Sequence, residues 1–209
     1  MSVIQQIAFY QNRQDEIPNQ ELARRLAQEQ DQEGIREIAE NLWNKNSAIQ
    51  SDCLKVLYET GYLQPELISP YANDFLRLLH SRNNRLVWGA MIALGTIAGH
   101  AANDLFPHAA EIQKIMENGS VITVDNGVLV LAKIAASARD RSAEIFPYLL
   151  RHLQICRAKE VPQHAEKILA AVNAENKDAF IAVLNNRSDD LSAAQLARVK
   201  KIIKQAEKL

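Results

Sequence analysis

The chain repeats itself with a period of 37 residues. Two rows show the repeat, each member lying 37 positions after the one before it: Cys53, Ala90, Gly127 and His164, then Leu57, Leu94, Leu131 and Ile168. A period in this range, built from helical segments, is typical of a solenoid in which each repeat packs on its neighbours. The periodicity therefore constrains the fold more strongly than any other feature of the sequence.

Each period predicts two helices, which we label A and B. The first A helix is expected at about 32–44, where an apolar stripe with helical spacing begins at Ile35. Its B partner is expected at about 48–60, and Gly61 is expected to end that helix in a left-handed conformation. The later pairs are predicted at about 70–81 with 85–98, 105–118 with 124–138, and 143–157 with 161–172.

The fourth A helix carries a change of phase. Its FPY sequence resembles the FPH sequence of the third A helix, but Pro107 and Pro147 lie 40 positions apart instead of 37. We therefore predict three inserted residues, which fit best in the loop that precedes the fourth A helix.

Helical caps are predicted at both ends of the array. Asn19 is expected to cap an N-terminal helix, separated by Ile17 and Pro18 from a shorter one, and Ser192 with Gln195 has the capping-box pattern for the last helix. We predict an all-α, right-handed α-α superhelix of about four helix pairs, forming one continuous domain. Its parts are an N-terminal helical cap over residues 1–31, repeats over 32–173 and a C-terminal capping helix pair over 174–209.

Composition limits the partners and the location. The net charge is −1, so the chain as a whole attracts neither nucleic acid nor an anionic membrane. No apolar run approaches the roughly 20 residues that span a bilayer. The first residues lack a secretory signal, and Cys53 and Cys156 have no CxxC spacing, which is typical of buried thiols in a reducing compartment. A cytoplasmic location is expected.

The pattern resembles HEAT repeats over about residues 34–172. The resemblance rests on the helix pairs, the period, the A-helix prolines Pro70 and Pro107, and alternating small and large residues on the B helices. It implies a right-handed superhelix whose B helices line a concave face that holds a partner. HEAT motifs are degenerate, so they say little about the specific function.

The B helices carry the candidate binding surface. Core rows stay apolar in every repeat, but the row of Lys55, Ile92, Leu129 and Glu166 varies, as a surface row does. An apolar patch with a polar rim is typical of a protein-binding surface, and Trp is enriched at binding hot spots. The predicted partner-binding residues are Lys55, Glu59, Trp88, Ile92, Thr96, Asp125, Leu129 and Lys133.

Two alternatives stay open at these positions. A central helix can be apolar all round because it is buried on more sides, which would make Ile92 and Leu129 core residues. The basic turn residues Arg82, Arg85, Arg157 and Lys159 could form an edge that contacts phosphate. The neutral net charge instead favours solvated helix ends, where cations offset the helix dipole.

Catalytic motifs are missing from the sequence. It contains no HExxH, CxxC, GxxxxGK[ST], GxGxxG or GxSxG pattern, and no histidine stands at a typical zinc-site spacing. We predict no catalytic residue, no metal site and no cofactor. The leading hypothesis is a non-enzymatic scaffold that binds a peptide or protein partner on the concave B-helix face.

The alternative function is nucleic-acid binding, by resemblance to HEAT-like alkylpurine DNA glycosylases. Trp88 and Asp125 share a row as that resemblance requires, with Arg82, Arg85 and Lys133 as a basic rim. The chain departs from the pattern because no second aromatic is found on the B-helix face and Ile92 follows Trp88 where an Asp is expected. A third possibility is a homo-oligomer that buries the apolar patch against a second copy.

Overall fold

A computed structural model describes residues 2–209, and within that range every regular element is helical. This confirms the all-α prediction. Short 3₁₀ turns extend or join several of the α-helices. The α-helices are α1 (Ile17–Glu29), α2 (Gln32–Glu40), α3 (Ser47–Leu63), α4 (Pro65–Ile68), α5 (Ala72–Leu78), α6 (Asn84–Ile97), α7 (Ala102–Leu105), α8 (Ala109–Glu117), α9 (Val121–Ala136), α10 (Arg139–Ile155), α11 (Val161–Ile168), α12 (Lys177–Asn186) and α13 (Ala193–Ala206).

The B helices form one continuous stack. Helix α3 packs on α6, α6 on α9 and α9 on α11, while α1 precedes this series and α13 follows it. The A side consists of α2, then α4 with α5, then α7 with α8, then α10 and α12. The row of Leu57, Leu94, Leu131 and Ile168 is completely buried between the two layers. The solenoid predicted from the 37-residue period is therefore confirmed.

The A-side core keeps the same period through all four repeats. Ile38, Phe75, Ile112 and Leu149 are completely buried, each 37 positions after the last. The three-residue insertion predicted before the fourth A helix is therefore wrong. Pro147 lies inside the uninterrupted helix α10, whereas Pro107 lies in a 3₁₀ turn between α7 and α8, so these two prolines are not structural equivalents.

Gly61 does not end the first B helix, which continues to Leu63. None of the described glycines has a positive φ angle. A Cβ atom at Gly61 would come within 2.2 Å of Thr96 Oγ1 and 2.6 Å of Ile68 Cδ1. The residue is glycine because two neighbouring helices approach its backbone closely, and the predicted left-handed stop is wrong.

The prediction that Asn19 caps the N-terminal helix is also wrong. Helix α1 begins at Ile17 with Pro18 in its first turn, so Asn19 lies inside the helix and is completely buried. Its Oδ1 accepts a hydrogen bond from the Ala8 amide at 2.9 Å, and its Nδ2 donates to Asp52 at 3.0 Å. Asn19 thus connects the N-terminal segment to α3.

At the other end of the chain, the Ser192 capping box is confirmed, with reciprocal hydrogen bonds between Ser192 and Gln195. Helix α12 packs on α10, and α13 packs on α11, so contacts run across residue 173 without a gap. The division into caps and repeats stays a prediction. Of the helices between residues 2 and 209, none combines the length and the apolarity that a bilayer span requires.

Candidate functional site

The candidate binding surface lies on α6 and α9, in the middle of the B stack. Trp88 and Ile92 are half-buried and pack against the core with part of each side chain in solvent. Leu129 is half-buried as well and lies over α6, where a Cβ atom at Gly95 would be 3.4 Å from Leu129 Cδ2. These three side chains are neither fully exposed nor core. We call them the apolar patch.

An ion-pair cluster borders the patch on the α3 side. Lys55 Nζ lies 2.8 Å from Glu16 Oε2 and 2.7 Å from Glu59 Oε1, and the Lys55 side chain is buried against Tyr58. Burial alone would lower the pKa of Lys55, but the hydrogen bonds to the two glutamates outweigh it and raise that pKa. Lys55 therefore already has its partners within the chain.

Thr96 does not contribute to the surface as predicted. It is 8% exposed, and its hydroxyl donates to the Ala93 carbonyl at 2.7 Å. The physical reason is the close approach of α3 at Gly61, which covers the Thr96 side chain. The helical spacing from Trp88 placed Thr96 on the right side of α6 but could not reveal this cover.

On the α9 side, two lysines form bonds across the helix stack. Lys133 Nζ donates to the Gly95 carbonyl at 2.7 Å, and burial lowers the pKa of this lysine. Lys167 Nζ donates to the Asp125 carbonyl at 2.9 Å and lies 2.5 Å from its Oδ2 atom. Burial raises the pKa of Asp125, but bonds from His164 and Lys167 outweigh it and hold the pKa below its usual range.

Two exposed apolar residues at the end of α3 were not predicted from the sequence. Because α3 continues past Gly61, Tyr62 and Leu63 extend the helix, with Tyr62 59% exposed. Burial, Glu59 and Asp125 all raise the pKa of Tyr62. Tyr62 is an exposed aromatic on a B helix, whereas the sequence predicted no second aromatic on the B-helix face.

The basic turn residues lie in two separate places. Arg82 and Arg85 are exposed near the start of α6, and Arg157 and Lys159 are exposed just before α11. The start of α9, between them, carries the exposed apolar residues Val121 and Ile122. Arg157 is bonded to Glu160, and Arg85 lies 3.9 Å from Glu16. The four cations therefore form two pairs with an apolar interval.

A polar cluster lies where α10 meets α11. His152 Nε2 is 2.9 Å from His164 Nδ1, and the two rings have centroids 4.9 Å apart. Cys156 Sγ belongs to the same cluster, and one ligand atom from each of the three residues lies within 4.8 Å of the others. We call these three residues the His-Cys cluster.

Burial controls the protonation of the His-Cys cluster. Burial and the adjacent His164 lower the pKa of His152 to about 4, so this imidazole is neutral near pH 7. Burial raises the pKa of the Cys156 thiol, although Arg187 opposes that shift. His152 and Cys156 line an open cavity of about 650 Å³ between α8, α9 and α10.

The prediction of no metal site stays a prediction, but it overlooked this cluster. His152 and Cys156 are spaced i, i+4 in the predicted fourth A helix, a spacing that places two residues on one helix face. In the structure, His152 lies in the last turn of α10 and Cys156 directly follows the helix. His164 is the only large side chain in the row that begins with Cys53, Ala90 and Gly127. The i, i+4 spacing of His152 and Cys156, and the large His164 in a row of small residues, were the sequence signals that could have revealed the cluster.

No protein-family model matches the sequence, and comparison with curated proteins finds no match. Solved structures are similar over the full length. An engineered protein matches with a TM-score of 0.70 at 15% identity, over 100% of this chain and 98% of that one. A designed armadillo repeat protein in complex with the peptide (KR)4 matches with a TM-score of 0.69 at 16% identity, over 99% and 97%.

A third structure, of computationally designed armadillo repeat proteins for modular peptide recognition, has a TM-score of 0.65 at 16% identity, over 97% of this chain and 98% of that one. The chain has the armadillo/HEAT-like solenoid fold. Identity at this level establishes the fold alone, so the function of this solenoid depends on its own surface residues.

Proposed function

We propose that this solenoid is a non-enzymatic interaction scaffold that binds a peptide or protein segment on its B-helix face. The observation that carries the proposal is the apolar patch of Trp88, Ile92 and Leu129, which spans α6 and α9 and leaves part of each side chain in water. Apolar groups contiguous across two helices, with a charged rim, are typical of binding surfaces.

The rim supports a particular kind of partner. Lys55 pairs with Glu16 and Glu59, and Asp125 pairs with Lys167, so most of the charge around the patch is neutralised within the chain. A partner that supplies apolar anchors would gain more here than a highly charged one. Exposed Tyr62 offers a further aromatic contact at the α3 end of the surface.

The similar structures support binding of extended segments, since one of them holds the peptide (KR)4 and another was designed for modular peptide recognition. They are repeat scaffolds. In this chain the internal pairing of the carboxylates favours a segment with apolar side chains over a polybasic one. The peptide (KR)4 therefore serves as a charge control and is expected to bind weakly.

Selection from a displayed library of random peptides tests the proposal. The immobilised full chain is expected to enrich peptides that carry spaced apolar residues. Each selected peptide is then titrated against the wild type and against the double variant Trp88→Ala/Leu129→Ala. Truncating two central apolar contacts is expected to weaken binding at least about tenfold, because hot-spot residues contribute about 2 kcal/mol or more.

Trp43 provides the matched control. It is an exposed tryptophan on the A side, where its Nε1 donates to Asp74 Oδ1 at 3.0 Å. The variant Trp43→Ala should bind the selected peptides as the wild type does. Peptides that bind the folded double variant as tightly as the wild type, or that lose affinity only with Trp43→Ala, would contradict the proposal.

The nucleic-acid alternative has no specific observation in its favour. Its acidic candidate, Asp125, is engaged by Lys167, and Gln163 Nε2 donates to its Oδ1 atom at 2.7 Å. The basic residues at the turns form two separated pairs, and a continuous phosphate track needs an uninterrupted row of cations. We further propose a cytoplasmic location, since Cys53 and Cys156 are buried free thiols.

A further inference from the structure

The junction between α10 and α11 differs chemically from the rest of the interior. The buried positions of the described chain are overwhelmingly apolar, but this junction places two imidazoles and a thiol side by side. We propose that the His-Cys cluster binds a zinc-class divalent metal ion, with His152 Nε2, Cys156 Sγ and His164 Nδ1 as the three protein ligands. This proposal is independent of the peptide-binding proposal.

The distances fit an ion after small adjustments. In a tetrahedral zinc site, bond lengths of about 2.0 Å to nitrogen and 2.3 Å to sulfur place two nitrogens about 3.3 Å apart, and sulfur about 3.5 Å from each nitrogen. The two imidazole nitrogens are now 2.9 Å apart, and all three ligand atoms lie within 4.8 Å of one another. A slight separation of the rings and a rotation of the Cys156 side chain would complete the geometry.

Asp125 orients the central ligand. Its Oδ1 atom lies 3.5 Å from His164 Nε2, so the carboxylate favours a proton on that nitrogen. His164 then directs the lone pair of Nδ1 toward His152 and Cys156. A histidine that binds metal through one nitrogen and donates its other N–H to a carboxylate is the usual outer-shell arrangement of zinc sites. The buried His164 ring is held in that orientation from two sides.

The donor set and the position define the class of ion. Two imidazoles and one thiolate suit Zn²⁺ and Co²⁺, and they disfavour Mg²⁺ and Ca²⁺, which prefer oxygen ligands. His152 and Cys156 line the cavity of about 650 Å³, so a water molecule can supply the fourth ligand from that side. The bound ion replaces the thiol proton, which leaves to solvent as the Cys156 thiolate bonds the metal.

Titration of the reduced full-length chain with Co²⁺ tests the site. The wild type is expected to develop a thiolate-to-cobalt charge-transfer band and the intense visible bands of a tetrahedral ion, at one equivalent. Added Zn²⁺ should abolish both and should raise the melting temperature, because an ion that binds only the folded state stabilises it. Folded wild type that develops no such bands up to millimolar Co²⁺ would overturn the proposal.

The two cysteines of the chain provide matched variants. Cys156→Ser should lose the charge-transfer band, whereas Cys53→Ser, which alters the other buried thiol, should retain it. Asp125→Asn is expected to weaken Co²⁺ binding about 10- to 100-fold while preserving the band, as loss of an outer-shell partner does. A charge-transfer band that survives in Cys156→Ser or disappears in folded Cys53→Ser would contradict the assignment.

Discussion

The third A–B junction lies between α8 and α9, and the fourth lies between α10 and α11. They occupy equivalent places in the solenoid, yet the side chains that fill them have opposite character. In the third repeat the B-helix position is Gly127, where a Cβ atom would come within 2.5 Å of Met116. In the fourth repeat the same row holds His164, which is 2% exposed and turns toward His152. Close apolar packing closes the third junction, and a polar cluster closes the fourth. The 37-residue period therefore fixes the position of each junction but not the polarity of the side chains that fill it.

The largest expected effect comes from placing the histidine of the fourth junction at Gly127 in the third. Gly127→His would force an imidazole against Met116 and bury a polar ring without a partner, so we expect a loss of about 3 kcal/mol or more in the free energy of unfolding. This loss is measured by urea denaturation, with circular dichroism as the signal for unfolding. The double variant Gly127→His/Met116→Ala should recover part of the loss. A Gly127→His protein as stable as the wild type would show that the third junction is not tightly packed.

The fourth junction also differs in how its A helix ends. Arg187, the residue that directly follows α12, donates to the Leu153, Gln154 and Cys156 carbonyls at the end of α10. Arg187→Ala is expected to cost about 2 kcal/mol in thermal or urea unfolding, since hydrogen bonds from a charged donor contribute about 1.5–3 kcal/mol.

Lysine should not rescue this position, because a single ammonium cannot reproduce the planar guanidinium fork. Arg139→Ala is the control, since its guanidinium pairs with Glu175 at the surface and its loss should cost less than about 1 kcal/mol. Equal losses in the two alanine variants would contradict the capping role of Arg187.

A smaller effect is expected from pH. The pKa of His152 is about 4 in the folded state, below its usual 6.5. As pH falls from 6.5 to 4 the unfolded chain binds this proton first, so the folded state loses stability across that window, by roughly 1–2 kcal/mol after allowance for solvent. His152→Ile, which copies Ile115 of the third repeat, should remove this part of the pH dependence.

The pH measurement is made with chelator present, by urea denaturation of wild type and variant at each pH. Subtracting the two curves removes the contribution of the carboxylates that both proteins share. A wild-type curve parallel to that of His152→Ile between pH 7 and 4 would show that His152 titrates normally.

The sequence predicted the stack well because buried rows recur at a constant step. Leu57, Leu94, Leu131 and Ile168 are all completely buried, and periodicity alone locates such positions. The Ser192 capping box was also readable, because its pattern is local. Both signals depend on spacing along the chain.

Several of the failures share a different cause, which is contact between distant helices. Gly61 looked like a helix stop, but its role is set by Thr96 and Ile68. Thr96 was predicted to lie at the surface, but in the structure α3 covers its side chain. The approach of His164 to His152 depends on how α11 lies against α10, which no spacing along the chain specifies. The candidate surface was therefore predictable as a set of rows, and its exposure was not.

Fluorescence of Trp88 tests the central claim most directly. In a Trp43→Phe background, Trp88 is the remaining tryptophan and is half-buried beside Ile92 and Leu129. Titration with a library-selected peptide should shift its emission to shorter wavelength, with saturation at the same concentrations as binding itself, because the partner removes water from the indole. A peptide that binds tightly while the emission and quenching of Trp88 stay unchanged would place the binding surface elsewhere and contradict the account.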